Sequence, residues 1–317
     1  FRAFSARIGA DPLLIQGPGG NTSIKNDEVM WIKASGKELA DAVGSEVFVA
    51  VDRKAAEAEA RGAGDGTCKA TVLDPAITLR PSIETTFHAV LDWRVVAHTH
   101  SVAVLSHVTS PAGRDVAREM LADLDPVFVP YIKPGRPLTQ AILDRITPDT
   151  RLILLENHGL IVCGATTAEA EGLMQDVEDR LRRTPADVAA TPPTGDPLPG
   201  FAWATEESWL AQDEAVLARV MGGSYYPDHV VFLGPALPTA DTDADTDTAP
   251  PAILVPGVGI QIRASATPTQ RAMLRCLSDV FRRLPADWTP DPIGPDAEAD
   301  LLNWDAEKYR QALAKKA

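Results

Sequence analysis

Cysteine is scarce in this sequence: Cys68, Cys163 and Cys276 are the only three in 317 residues, and no two form a CxxC pair. That spacing supplies neither a disulfide framework nor a cysteine metal knuckle, so the three read as small buried hydrophobes. Long apolar runs are missing too. No stretch approaches the roughly 18 to 20 apolar residues of a bilayer-spanning helix, and Phe1 to Gly9 lacks the basic-then-apolar layout of a signal peptide. The expected location is therefore the cytoplasm. The chain opens at Phe1 without a methionine, and a few further residues are expected ahead of it. Basic charge is in deficit, with 30 Lys and Arg against 44 Asp and Glu and a formal net charge of −14. A surface of that sign repels phosphate backbones and anionic lipid heads, which argues against nucleic acid and membrane as partners. No GxGxxG or Walker A pattern follows a strand, and no internal repeat of fixed period is visible.

What is present is enough apolar material, 45% of the side chains, for one large core or a core with a smaller lobe. To about Arg183 the chain alternates strand-like and helix-like stretches, the pattern of an α/β or α+β domain. Expected strands are Val29 to Ala34, Val47 to Val51, Val95 to His100, Leu152 to Leu155 and Leu160 to Cys163. Expected helices are Lys37 to Ala42, Ile83 to Leu91, Ser101 to Ser106, Gly113 to Leu121, Thr139 to Arg145 and Thr167 to Arg183, the last capped by Thr167. Five prolines between Thr184 and Gly200 mark a domain edge, dividing the chain into 1–190 and an accessory lobe over 191–317. In that lobe Trp203 to Met221, Thr267 to Arg283 and Asp296 to Lys315 read as helices, and Val230 to Leu233 and Ala252 to Val255 as strands. The acidic run Asp241 to Thr248 lacks the glycine and terminal glutamate of an EF-hand and reads as a solvated loop.

Chemistry concentrates in three places. Val95-Val96-Ala97-His98-Thr99-His100 ends an apolar strand with histidines at i and i+2; side chains alternate faces along a strand, so both point one way. A third histidine, His158, follows the apolar run Leu152 to Leu155 in a turn allowed by Gly159. Three neutral imidazoles leave coordination positions open, which distinguishes a catalytic metal site from a closed structural one. His88, His107 and His229 are isolated and read as ordinary polar or helix-face residues. Next, Arg80-Pro81-Ser82-Ile83-Glu84 looks like a helix start with Ser82 as N-cap. Glu84 there either complements the helix dipole or is handed to the metal pocket as general base and acid. Finally, Gly17-Pro18-Gly19-Gly20-Asn21-Thr22-Ser23 and Ala34-Ser35-Gly36-Lys37 are loops whose NH, hydroxyl and amide groups suit an anion.

Taken in order, GGNTS, ASGK, PSIETTFH, HTH and ENHG resemble the class II aldolase/adducin family over roughly residues 1 to 185. Within it the sequence is similar to the aldolase part of the bifunctional rhamnulose-phosphate aldolase/alcohol dehydrogenases. Val255-Pro256-Gly257-Val258-Gly259 and Asn303 to Arg310 resemble the segment that continues from that part. The resemblance implies an α/β fold of α+β type, a central mainly antiparallel sheet flanked by helices, assembled as a homotetramer. It implies one Zn2+ on His98, His100 and His158, with manganese and cobalt as alternatives. It further implies Glu84 as catalytic acid/base, and Asn21, Ser35, Gly36 and Ser82 as the substrate's phosphate site. The implied reaction is reversible aldol cleavage of a sugar phosphate or related hydroxy-keto compound through a zinc-stabilised enediolate.

Two departures stand out. Ile83 occupies the place of a second serine, which leaves a non-phosphorylated or carboxylate substrate open. The family's tyrosine proton donor has no alignable counterpart, Tyr131 included, and no nicotinamide chemistry is expected. Epimerase, dehydratase or decarboxylase chemistry on the same scaffold is the first alternative, although the epimerases commonly carry Asp where this chain has Glu84. A non-catalytic interaction module like adducin is the second. It would need no open metal site. The lobe over 191–317 is expected to cover the active-site mouth, make subunit contacts, or dock a separate dehydrogenase.

Overall fold

The computed structural model describes residues 1–188, 191–239 and 250–315. Among these, seven strands form one sheet: β1 (Asn21–Lys25), β2 (Val29–Lys33), β3 (Phe48–Asp52), β4 (Val95–Thr99), β5 (Val127–Val129), β6 (Leu152–Leu155) and β7 (Gly159–Gly164), in the order β3-β2-β1-β4-β7-β6-β5. Every pairing is antiparallel except β5 with β6. Strands β4, β6 and β7 are buried along their whole length, which is why they read as unbroken apolar runs. Alternation sorts their side chains into two layers. Val96, Ile153, Leu155 and Ile161 pack with Phe87 and Leu138, which lie on the helices Thr85–Val90 and Arg136–Leu143. On the opposite face Val95, Ala97, Leu152, Leu154 and Leu160 join the largest apolar cluster, together with the helices Val102–Val108 and Thr167–Leu181. That cluster continues without a break into the later part of the chain, taking in Tyr225, Ile260, Leu274, Leu277 and Phe281.

After residue 190, β8 (Phe201–Trp203), β9 (Ala252–Val255) and β10 (Gly259–Arg263) form a three-stranded antiparallel sheet in the order β8-β10-β9. The helix Pro268–Arg283 carries a full Thr267/Gln270 capping box. Two short helices, Pro295–Leu302 and Asp305–Ala314, replace the single one expected over Asp296 to Lys315, with the break at Asn303 and Trp304. Trp203 to Met221 likewise divides, into the end of β8 and the helices Trp209–Gln212 and Glu214–Val220, because Asp213 leaves helical geometry to cap the second. Val230 to Leu233 is helical, not extended. Pro227 begins that helix and every residue from Pro227 to Leu233 is buried, so the β-branched run shows no periodicity that could separate a helix from a strand. Lys37 to Ala42 reduces to a 3-10 turn over Leu39–Ala42, and the cap of the long helix is Thr166, not Thr167. The acidic run Asp241 to Thr248 lies outside the described residues.

β1 reads as polar, Asn-Thr-Ser-Ile-Lys, yet it is an interior strand with four of five residues buried. Lys25 is one of them: its ammonium donates to the His88 carbonyl, and burial pushes it down to about 7. Between about 7 and the ordinary lysine value near 10, the unfolded chain binds a proton there that the folded chain does not. The contribution of Lys25 to stability therefore improves as pH rises through that window, and below it the burial penalty is present in full. Urea melts of wild type and Lys25→Met are expected to converge or cross in wild type's favour, by about 2 kcal/mol or more between pH 7 and pH 10. A difference that stays constant with pH would show that Lys25 remains protonated inside the fold.

Candidate metal centre

The site assembles where β1, β4 and the β6–β7 hairpin meet. Register sets Asn21 opposite His98, and β4 delivers His98 and, one residue past its end, His100. The two imidazole Nε2 atoms face each other at 3.1 Å. His158 sits in the hairpin, where Asn157 takes the positive φ (55°) that the turn requires. Gly159 is needed for a different reason than the turn itself: a Cβ on it would lie 2.3 Å from the Thr99 carbonyl oxygen and 3.3 Å from His98 Cε1. Ligand atoms of all three histidines lie within 4.8 Å of one another, and all three are buried.

These side chains fit a divalent cation on their own chemistry. Nδ1 of His98 lies 3.0 Å from the Leu160 carbonyl oxygen and so carries the proton, which leaves Nε2 as a lone pair. Nδ1 of His100 lies 3.1 Å from Asp228 Oδ2, a carboxylate that favours the proton on that nitrogen. With the proton on Nδ1 of each ring, two Nε2 lone pairs face each other. That arrangement repels unless a cation lies there, and tetrahedral Zn–N bonds hold nitrogens roughly 3.3 Å apart. Burial pushes His98 down to about 4 and His158 down to about 3, so both are neutral at physiological pH, the state in which an imidazole can take a metal ion.

Glu84 stands beside them, with Oε2 3.5 Å from His98 Nε2 and Oε1 3.5 Å from His158 Nε2. It precedes the helix Thr85–Val90 and is that helix's N-cap, in place of the Ser82 expected from the sequence. Ser82 Oγ instead accepts from the Glu84 backbone NH at 3.2 Å and from Asn21 Nδ2 at 3.3 Å. Burial works to raise the Glu84 pKa, but the neighbouring His98 and His158 and the Asn21 amide outweigh it, and the carboxyl is held below its usual range. Asn21 donates to Glu84 Oε2 at 2.8 Å, and its own carbonyl is fixed by His88 Nε2. His88 is held in turn by Ser23 Oγ at 2.8 Å from its Nδ1. His88 is thus a fully buried part of the site's support, not the helix-face residue its isolation suggested.

Asn21, Ser35, Gly36, Ser82, Glu84, His100 and His158 line one cavity, joined by Lys33, Asp228, Glu307 and Arg310. Its free space is about 20 Å³, room for about one water. A second cavity of about 680 Å³ adjoins it, sharing Ser35, Ile83 and Pro134 and bordered by Arg80, Lys133 and Tyr309. Lys33 was not visible as a site residue in the sequence. Its buried ammonium donates to the carbonyls of Pro18 at 2.6 Å and Lys37 at 2.8 Å, tying the two expected anion loops together. Burial pushes it down to about 7. Asp228, Glu307 and Arg310 come from the later part of the chain; the stretch Asn303 to Arg310 was noted there only for its resemblance, and no site role was expected of any of the three. Tyr131 does not line this cavity; its hydroxyl is buried without a hydrogen-bond partner and burial raises its pKa.

Fold and site together define an α/β protein with a buried three-histidine pocket and an adjoining carboxylate. The sequence model described as Class II Aldolase and Adducin N-terminal domain matches residues 5–183, more than half of the chain. The chain belongs to the class II aldolase and adducin family. It is 31% identical over 179 residues to the Bacillus subtilis uncharacterized oxidoreductase YuxG, a match covering 50% of this chain and 25% of that protein. It is 30% identical over 115 residues to the Escherichia coli K12 3-oxo-tetronate 4-phosphate decarboxylase, covering 32% of this chain and 54% of the relative. The chain thus spans about half or less of the length of these relatives. Among solved structures, it is similar to the N-terminal class II aldolase domain of a conserved Thermoplasma acidophilum protein, at 29% identity and a TM-score of 0.49 over 57% of this chain and 89% of the other. L-fuculose-1-phosphate aldolase from Thermus thermophilus matches at 22% identity with a TM-score of 0.38, over 57% of this chain and 90% of the other. No helix among the described residues is long and apolar enough to cross a membrane.

Proposed function

We propose that this protein catalyses reversible aldol cleavage of a sugar phosphate or related hydroxy-keto compound, with one divalent ion, zinc first, held by His98, His100 and His158. Manganese and cobalt suit the same ligands. The observation that carries the reading is Glu84: a buried carboxylate with each oxygen 3.5 Å from a histidine nitrogen of the metal pocket, anchored by Asn21. A bound ion would supply Lewis-acid polarisation of the substrate's carbonyl and hydroxyl oxygens. In the synthetic direction Glu84 removes the proton from the carbon next to the substrate carbonyl; in cleavage its acid form returns that proton to the same carbon. Asn21 keeps the carboxylate aimed. Asn21, Ser35, Gly36 and Ser82 receive the substrate's anionic group, and Lys33 adds positive charge below about pH 7. The neighbouring 680 Å³ cavity, bordered by Arg80 and Lys133, accommodates the remainder of the substrate. A homotetramer acting in the cytoplasm goes with this reading, as does the division into an aldolase domain over 1–190 and an accessory lobe over 191–317.

Elemental analysis of the purified protein, paired with assays on ketose phosphates and hydroxy-keto acids, tests the proposal. About one metal per chain is expected, with aldehyde release that stops on chelation and returns when zinc is restored. Carbon dioxide release in place of aldehyde would transfer the reading to the decarboxylases, one of which is the relative with 30% identity. Absence of metal after soaking with zinc or manganese would favour the interaction module.

A further inference from the structure

The three histidines differ in what holds their outer nitrogens. His98 Nδ1 is fixed by the Leu160 carbonyl, on β7 of the same sheet. His158 Nδ1 is buried with no hydrogen-bond partner. Of the three Nδ1 atoms, only that of His100 meets a carboxylate among the described residues, Asp228 Oδ2 at 3.1 Å, and that residue belongs to the helix Pro227–Leu233, well beyond the family match that ends at residue 183. Asp228 is 1% exposed, and its other oxygen lies 2.9 Å from Nη2 of Arg310, on the helix Asp305–Ala314. Arg310 is fixed further by Glu307, whose carboxylate accepts from Nη1 at 2.9 Å. The chain also makes room for the contact: a Cβ on Gly19 would stand 2.8 Å from Asp228 Oδ2 and 2.9 Å from His100 Nδ1. The glycine loop thus serves, at this position, to let a carboxylate from the later part of the chain reach a histidine of the sheet.

We infer that Asp228, positioned by Arg310, is the outer-shell carboxylate of the metal centre, so that the segment beyond residue 183 sets how tightly this protein holds its ion. The inference rests on the metal reading above. A carboxylate taking the Nδ1 proton locks the imidazole tautomer, leaves Nε2 as the ligand and raises its basicity; loss of such a partner typically weakens metal affinity about 10- to 100-fold. Arg310 acts one step further out. It neutralises Asp228 and aims its second oxygen at His100, and its loss should act in the same direction by a smaller factor. Both are positioning residues.

The test is zinc affinity of the full-length protein, measured by competition with a chromophoric chelator, alongside urea stability of the metal-free form. Asp228→Asn is expected to bind zinc about 10- to 100-fold more weakly than wild type, and Arg310→Met more weakly than wild type by a lesser factor. Phe281→Leu, a change in the shared apolar cluster whose ring packs on Tyr225 and not on His98, His100 or His158, is the control: it should lose stability and keep wild-type zinc affinity. If Asp228→Asn fails to fold, Arg310→Met and Arg310→Lys carry the test, with lysine recovering part of the affinity that methionine loses. Zinc affinity within about twofold of wild type in the folded variants would overturn the inference while leaving the metal reading intact. An equal loss in Phe281→Leu would also overturn it, by tracing the effect to stability alone. A wild-type protein that binds no zinc would overturn both.

Discussion

Replacing Glu84 by glutamine is expected to lower kcat for aldehyde release by about 1000-fold, inside the range for loss of a positioned general acid or base. The substitution keeps the shape of the side chain and removes its negative charge and, with it, the ability to take and give a proton. Asn21 should still find an oxygen to bond, because the chain Ser23–His88–Asn21 that aims its amide is untouched. Metal content should stay near one per chain, since the expected ligands are nitrogens of His98, His100 and His158 and no oxygen of Glu84 is needed to hold the ion. Steady-state kinetics and elemental analysis on the same preparation separate the two effects. A variant that loses its metal would recast Glu84 as a ligand, and one that keeps most of its activity would remove it from the chemistry.

Phe87→Ala carries the largest expected stability cost. Phe87 is fully buried between the sheet and the helix Arg136–Leu143, stacks on His88 with ring centroids 4.6 Å apart, and meets the His98 ring edge-on at 5.7 Å. Truncation removes the transfer free energy of the ring and leaves a cavity under two imidazoles that cannot collapse without disturbing the site. The loss should be about 3–4 kcal/mol, or a fall in Tm of roughly 4–6 °C for a chain of this length. Denaturant unfolding of the metal-free protein reads it directly. A cost below about 1 kcal/mol would mean that the helix settles onto the sheet and fills the space.

The histidines and Glu84 were legible because their spacing carries geometry: alternate positions on one strand, and a carboxylate at the mouth of a helix about ten residues upstream. Five of the sheet's strands were legible, β2 and β3 as well as β4, β6 and β7, the last three because burial on both faces leaves continuous apolar runs; their mainly antiparallel order came from the family resemblance. β1 was not, because Asn21 and Ser23 face the site and its network, and a strand made polar by its task loses the alternation that marks strands. Lys33 and Arg310 look like surface cations in a one-dimensional reading; only the carbonyls and carboxylates brought to them by folding make their burial tolerable. Asp228 lies seventy residues past His158, just ahead of the run Val230 to Leu233 that reads as strand, so nothing local tied it to His100.

The apolar cluster that crosses residue 183 has a bearing on how such a protein can be inherited or shortened. A genetic exchange moving only the family-matched segment, 5–183, would carry the three histidines and Glu84 but would strip the cover from Val104, Leu105 and their neighbours, now shared with Leu274, Leu277 and Phe281. The transplanted piece would present an adhesive face in place of a solvated one. The two stretches are therefore expected to travel and diverge together, with changes on one side of the seam answered by changes on the other.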